Sequence, residues 1–282
     1  MRTQSAPRFA ILRHARRIWA IGAVHGRAAE LGRLHARLET RVWQGDRVVY
    51  CGNLIGRGPD VAGTIREMLL FRRAVIARPG FEADDVVLLR GAQEEMLHRL
   101  LQIQFARGPA AAEQALAWMA QEGVGATLAA WGQSIEEGLR RARMGPVDLA
   151  RWTGTIRQAI RAAPGHDPLL ASLRRAAFTV PEDLAGAAPG ALFVAAGVDP
   201  SRPLEGQGDS FWWDQAGFAA LAGSEPPWNG FRRIVRGHDR AGGGFAETPF
   251  AVTLGEEPDQ VLAGLFAPDG TLIEVFGSDS SA

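Results

Sequence analysis

No lysine occurs in this chain: apart from the histidines, every basic residue is arginine. With 34 glycines and abundant alanine, that bias points to a GC-rich bacterial gene, an inference about codons rather than chemistry. Cysteine is nearly absent. A lone Cys51 excludes a disulfide framework and fits a reducing compartment, so the expected location is cytoplasmic. At the end of an apolar run, Cys51 itself reads as a small buried residue. An excess of either charge is also missing. The 31 arginines balance 31 aspartates and glutamates, so no global field selects nucleic acid or an acidic membrane. No apolar run reaches the length of a transmembrane helix. Acidic residues are lacking before Glu30, and residues 1–17 are rich in arginine. Within them Phe9-Ala10-Ile11-Leu12 is too short for a secretory apolar core, so 1–17 are expected as a basic tail.

What is present suffices for one sizeable core: 46% of the 282 residues are hydrophobic. Ile18 to Gly22 is a short apolar run closed by glycine, followed by an amphipathic stretch from Arg27 to Leu38. Arg47 to Cys51 followed by Val61 to Leu70 repeats the pattern, as does Val86 to Leu89 followed by Glu94 to Phe105. Strand, glycine-bearing loop and helix in succession predict an α/β sheet with functional loops at the strand ends. From Ala110 to Ala177 the pattern is mostly helical, broken at Gly123, Gly125, Gly132, Gly145 and Pro164. Strands restart at Ala191 to Val194 and Ile234 to Val235. Phe250 to Leu254, Val261 to Leu265 and Thr271 to Phe276 are expected to form an antiparallel meander with a turn at Asp269-Gly270, before a polar tail over 277–282.

Five short segments fall at the ends of these strands: Gly22-Ala23-Val24-His25-Gly26, Gly52-Asn53-Leu54-Ile55-Gly56-Arg57-Gly58, Arg90-Gly91-Ala92-Gln93-Glu94, Phe193-Val194-Ala195-Ala196-Gly197 and Val235-Arg236-Gly237-His238. In order and spacing they resemble the motifs of the phosphoprotein-phosphatase branch of the calcineurin-like metallophosphoesterases, G-D-x-H-G, G-D-x-x-D-R-G, R-G-N-H-E, V-H-A-G and a late G-H. That branch includes Ser/Thr protein phosphatases and symmetrical diadenosine tetraphosphate hydrolases. The resemblance runs from about Ile18 to Phe276. It implies an α/β fold with a central β-sandwich flanked by helices, over residues 18–276, and a helical cap insertion over 106–177 covering one rim of the site.

The resemblance also implies a site stripped of its chemistry. Such enzymes activate water between two divalent metals, manganese, iron or zinc. Two dications about 4 Å apart repel by roughly 16 kcal/mol at an effective dielectric near 20, which carboxylates must offset. The two aspartate positions here hold Ala23 and Asn53; the asparagine and histidine ligand positions hold Ala92 and Ala195. Only His25 and His238 survive unchanged. The general-acid histidine is replaced by Gln93, which delivers no proton near neutral pH, and the aspartate that orients it by Gly56. One phosphate-binding arginine is retained as Arg57. The other belongs to a W-x-R-x-x-F pattern that reads Trp213-Asp214-Gln215-Ala216-Gly217-Phe218, with Gln215 in its place.

Each survivor has a bland alternative. His25 and His238, with Asn53, are relict metal ligands or hydrogen-bonded loop residues. Arg57 binds an anion or pairs with a carboxylate. Arg236 joins Arg57, and Arg240, in an anion pocket with His25 and His238, or points to solvent. Asp239 offers a carboxylate near His238 or is solvated, and Arg240-Ala241-Gly242-Gly243-Gly244 is a weak match to a phosphate-cradling loop. Arg90 braces loops, and Glu94 satisfies backbone amides at a helix start. Tryptophans between 118 and 228 are core, or anchors for a partner if exposed at the cleft. The expectation is therefore a pseudophosphatase with no metal cofactor, which binds a protein partner that is itself phosphorylated or not, or a phosphate-like anion, and neither nucleic acid nor membrane. The alternatives are a residual single-metal phosphoesterase and a phosphate or nucleotide sensor.

Overall fold

The structure is a computed structural model, and it describes residues 8–180 and 190–279. In chain order the elements begin β1 (Phe9–Leu12), β2 (Arg17–Ile21), α1 (Ala28–Glu39), β3 (Asp46–Tyr50), α2 (Val61–Ile76), β4 (Val86–Leu88) and α3 (Ala92–Leu100). Five helices follow: α4 (Pro109–Gln121), α5 (Val124–Ala129), α6 (Ile135–Met144), α7 (Pro146–Ala162) and α8 (His166–Ala171). The second half contains β5 (Ala176–Thr179), β6 (Ala191–Val194), α9 (Ser210–Trp213), α10 (Gln215–Ala222) and β7 (Arg233–Arg236). It ends with β8 (Phe245–Glu247), β9 (Ala251–Leu254), β10 (Leu262–Phe266) and β11 (Leu272–Gly277).

Two mixed sheets result, in the orders β11-β10-β2-β3-β4 and β1-β5-β6-β7-β9-β8. Alternation along the strands sorts side chains between the layers. Ile18, Ala20, Val49, Cys51 and Val87 meet Ala191, Phe193, Val235 and Val252 between the sheets. Their neighbours Trp19, Ile21, Val48, Tyr50, Val86 and Leu88 face the other way, onto Leu31, Leu34, Ile65 and Met68 of α1 and α2. On the far side, Leu192, Val194 and Ile234 pack against Phe211, Trp212 and Phe218 of α9 and α10. Burial on both faces is why these strands appear in the sequence as continuous apolar runs rather than as alternating ones. This is the expected sandwich flanked by helices.

Helices α4 to α8 form the cap, and Leu116, Met119, Leu128, Trp152 and Ile156 join the same apolar cluster as α1 to α3. Trp131 is part of that cluster and donates its indole N–H to His166 Nδ1 at 3.1 Å, so the tryptophans of the cap are mainly structural.

Three local expectations change. Phe9–Leu12, inside the stretch expected as a tail, is a strand paired in parallel with β5, because its apolar residues complete the edge of the six-stranded sheet. Residues 1–7 lie outside those described. Ala176 and Ala177, assigned to the cap, begin β5. The meander is only a hairpin: β10 pairs with β11, but β9 lies in the other sheet beside β7 and β8. The tight turn falls where expected, with the Gly270 N–H donating to the Ala267 carbonyl at 3.0 Å.

Candidate functional site

Loops at the carboxyl ends of β2, β3, β4, β6 and β7 carry the five motifs, and the fold gathers them at one edge of the two sheets. Their backbone keeps an unusual shape. His25, Asn53 and Arg57 all adopt left-handed conformations, with φ of 50°, 51° and 56°. Such conformations cost non-glycine residues on the order of 1–2 kcal/mol each. The loops are held in place by one buried carboxylate. Glu94 accepts from the N–H groups of Leu54 (2.7 Å), Ile55 (3.0 Å), Asn53 (3.0 Å) and Gly91 (2.7 Å), the amide-satisfying role expected of it. Burial pushes its carboxyl up, and the backbone donors at Ile55, Gly91 and Leu54 oppose that shift. Gly91 is required here, since a Cβ would lie 2.2 Å from the Asn53 nitrogen. Arg90 also braces structure, pairing with Glu95 at 3.2 Å and lying over the Trp212 ring.

The positions that the motifs single out make structural contacts. Ala23, Ala92 and Ala195 are buried methyl groups. Asn53 is fully buried, and its Oδ1 accepts from the Gln93 N–H at 3.1 Å in the first turn of α3. Gln93 Nε2 donates to the Glu122 carbonyl at 2.7 Å, and a Cβ at Gly56 would lie 2.1 Å from Gln93 Oε1. Gln93 thus fills the space over Gly56.

His25 and His238 are brought together, with ring centroids 5.4 Å apart. Between them stands a carboxylate that the motifs do not contain. Glu256, on the loop after β9, places Oε1 at 2.6 Å from His238 Nδ1 and 2.8 Å from His25 Nε2. Burial opposes its ionisation, but the contacts with His238 and His25 outweigh it and hold the carboxyl well below the usual carboxylate range. Burial pushes His25 down, against the raising effect of Glu256. The His25 Nε2 contact is close but badly aligned, and neither ring nitrogen of His25 has a directed hydrogen bond.

The arginines behave differently from the anion-pocket expectation. Arg57 pairs with Glu122 at 3.3 Å and stands 4.0 Å from Glu256. Arg240 also reaches Glu122, at 2.6 Å. Glu122 sits between α4 and α5 of the cap, so the cap itself supplies the carboxylate that neutralises both. Arg236 is buried and neither points to solvent nor joins Arg57. Its guanidinium donates to Thr253 Oγ1 (2.9 Å), Gln215 Oε1 (2.5 Å) and Asp239 Oδ2 (2.7 Å), and lies over Phe218. Asp239 is therefore committed to Arg236 and not to His238. The glycine run after Arg240 leads into β8, without the helix a phosphate-cradling loop requires.

What remains open is a cavity of about 30 Å³ among His25, Asn53, Arg57, Gln93, Trp213 and His238, room for about one water. Trp213 borders it and packs against Trp118 of α4, which is 39% exposed. A pair of dications does not fit this pocket. The two aspartate positions hold Ala23 and Asn53, the carboxylates of Glu256 and Glu122 are paired with His25, His238, Arg57 and Arg240, and the space suits one small ligand. Glu256 and Glu122 had no distinguishing signal in the sequence: one follows a strand, the other ends a helix, and both look like ordinary surface acids.

No protein-family profile and no curated protein matches the chain. Solved structures do. One, a candidate diadenosine tetraphosphatase, aligns over 96% of this chain and 97% of its own at 18% identity, with a TM-score of 0.50. A cold-active protein tyrosine phosphatase aligns over 96% of this chain and 81% of its own at 13% identity, with a TM-score of 0.51. At these identities the likeness establishes architecture, and the chain accordingly has the metallophosphoesterase-like α/β fold, two mixed sheets flanked by helices and topped by a helical cap.

Proposed function

We propose that this protein is a pseudophosphatase, a phosphatase-like chain that acts by binding a protein partner rather than by hydrolysing phosphate esters. The observation that carries the reading is the closure of the cleft by the protein's own carboxylates. Glu122 holds Arg57 and Arg240, and Glu256 stands between His25 and His238. A phosphoryl group would compete with Glu122 for both guanidiniums, and the cavity of about 30 Å³ beside them has room for about one water. Leaving-group protonation has no donor of suitable pKa at Gln93, a loss worth roughly 10²- to 10⁴-fold. The same internal pairing argues against the phosphate or nucleotide sensor. Recognition of a partner is assigned to the rim, where Trp118 and Trp213 offer an aromatic pair of the kind that anchors interfaces.

Purified protein supplied with manganese, zinc or iron should show no turnover of p-nitrophenyl phosphate, a phosphopeptide or diadenosine tetraphosphate above background. Turnover abolished by His25→Ala would overturn the reading. A partner recovered from the native cell with wild-type protein, and lost with Trp118→Ala, would support the assigned rim.

A further inference from the structure

We propose that His25, His238 and Glu256 form a mononuclear site for a transition-metal dication of the zinc class. His25 Nε2, His238 Nδ1 and Glu256 Oε1 come from loops after β2, β7 and β9, and all lie within 4.8 Å of one another. Three elements far apart in sequence thus converge on one point. Two imidazoles and one carboxylate are a recognised zinc donor set, with the fourth position left to water. The cavity beside His25 and His238 has room for that water.

A second observation points to a ligand. His25 is 4% exposed, yet both its ring nitrogens lack a directed hydrogen-bond partner. A buried ring nitrogen without an aligned partner is unfavourable, and ligation would give Nε2 one. Asn53 is a neutral donor whose oxygen already accepts from the Gln93 N–H, so the Glu256 carboxylate is the stronger ligand. The ligand set is therefore not the His25, Asn53 and His238 group suggested by the motifs; Glu256 is the carboxylate. Arg57, 4.0 Å from Glu256, lowers affinity by repulsion, and the free Nδ1 of His25 gives no supporting hydrogen bond. Binding should be micromolar rather than nanomolar.

The role that follows is a tie. The loop after β9 is already held by Arg27, whose Nη1 donates to the carbonyls of Glu257 and Gln260, both at 2.9 Å. Ligation would fasten Glu256 of the same loop across the ends of β2 and β7. This inference is independent of catalysis: turnover would refute the pseudophosphatase reading alone, and failure to bind metal would refute this one alone.

The test is titration of chelator-stripped protein with zinc by calorimetry, and with cobalt by visible absorbance. One ion per chain is expected, with a four- or five-coordinate cobalt spectrum and a zinc-dependent rise in melting temperature. Glu256→Gln and His238→Ala should abolish the binding, while Glu257→Gln should leave it intact. No binding, two ions per chain, or binding indifferent to Glu256→Gln would each overturn the site. Should the variants fail to fold, cadmium NMR of wild-type protein decides, since a nitrogen-and-oxygen donor set has its own shift range and any other set refutes the assignment.

Discussion

Gly56 and Gln93 form a packing unit at the edge of the site. At φ 86° Gly56 lies in the left-handed region, and the space its side chain would fill belongs to Gln93 Oε1, 2.1 Å from an added Cβ. Gly56→Ala therefore carries two penalties: about 1–2 kcal/mol for the backbone conformation, and the displacement of a glutamine anchored to the Glu122 carbonyl. Denaturant unfolding of Gly56→Ala, Gln93→Ala and the double variant would separate them. Only the second penalty should vanish in the double variant, leaving a coupling energy on the order of 0.5–3 kcal/mol. Strict additivity would show that the two residues do not compete for space.

Between α1, α2 and β3 a buried histidine joins three elements. His35 Nδ1 lies 2.7 Å from Glu67 Oε1, its Nε2 lies 2.6 Å from Tyr50 Oη, and its ring stacks on Phe71. This set of partners is satisfied by a neutral ring that donates from Nδ1 and accepts the tyrosine proton at Nε2. Burial pushes His35 down, outweighing the pull of Glu67, while the hydrogen bond from His35 pulls Glu67 down against burial. Both shifts have the same consequence. A histidine whose folded pKa is depressed stabilises the fold above its unfolded value, about 6.5, and loses that contribution as pH falls. Depressed Glu67 adds a further loss below its own unfolded value, about 4.3. Unfolding free energy should decline as pH drops from 7.5 to 5.5, and His35→Leu should flatten that decline. An unchanged slope would place the acid sensitivity elsewhere.

At the scale of the whole molecule, Glu122 is the fastener between cap and sheets. It pairs with Arg57 and Arg240, its carbonyl accepts from Gln93, and the neighbouring Gly123 carbonyl accepts from the Arg57 N–H at 3.2 Å. Glu122→Ala would leave two guanidiniums beside the cavity without their shared carboxylate. The variant should bind phosphate or sulfate more tightly than wild-type protein, as read by calorimetry at low salt, with the gain shrinking as salt rises. Equal responses from the two proteins would mean that the arginines turn to solvent once released. The pairs are partly exposed, Arg57 at 37%, so the cost to stability should be small, roughly 1 kcal/mol or less.

The sequence by itself determined most of the order of strands and helices and the helical run that follows the third strand–helix unit. Apolar runs buried on both faces, closed by glycines, leave few alternatives to strand ends, and the five motifs mark which ends converge. Composition also determined that Ala23, Ala92 and Ala195 could not ligate, since methyl groups have no donor atoms. The strand near the beginning was hidden because a four-residue edge strand is indistinguishable from a tail until its partner is known. The partners of the surviving side chains were hidden for the same reason. Arg236 is held by Thr253, Gln215 and Asp239; Arg57 by a cap residue 65 positions away; and His25 stands beside Glu256 from the loop after β9. Charge pairing depends on distance in space. Only the tertiary structure, by laying β9 beside β7 and the cap over the β3 loop, decided that the pocket would be lined by the protein's own carboxylates.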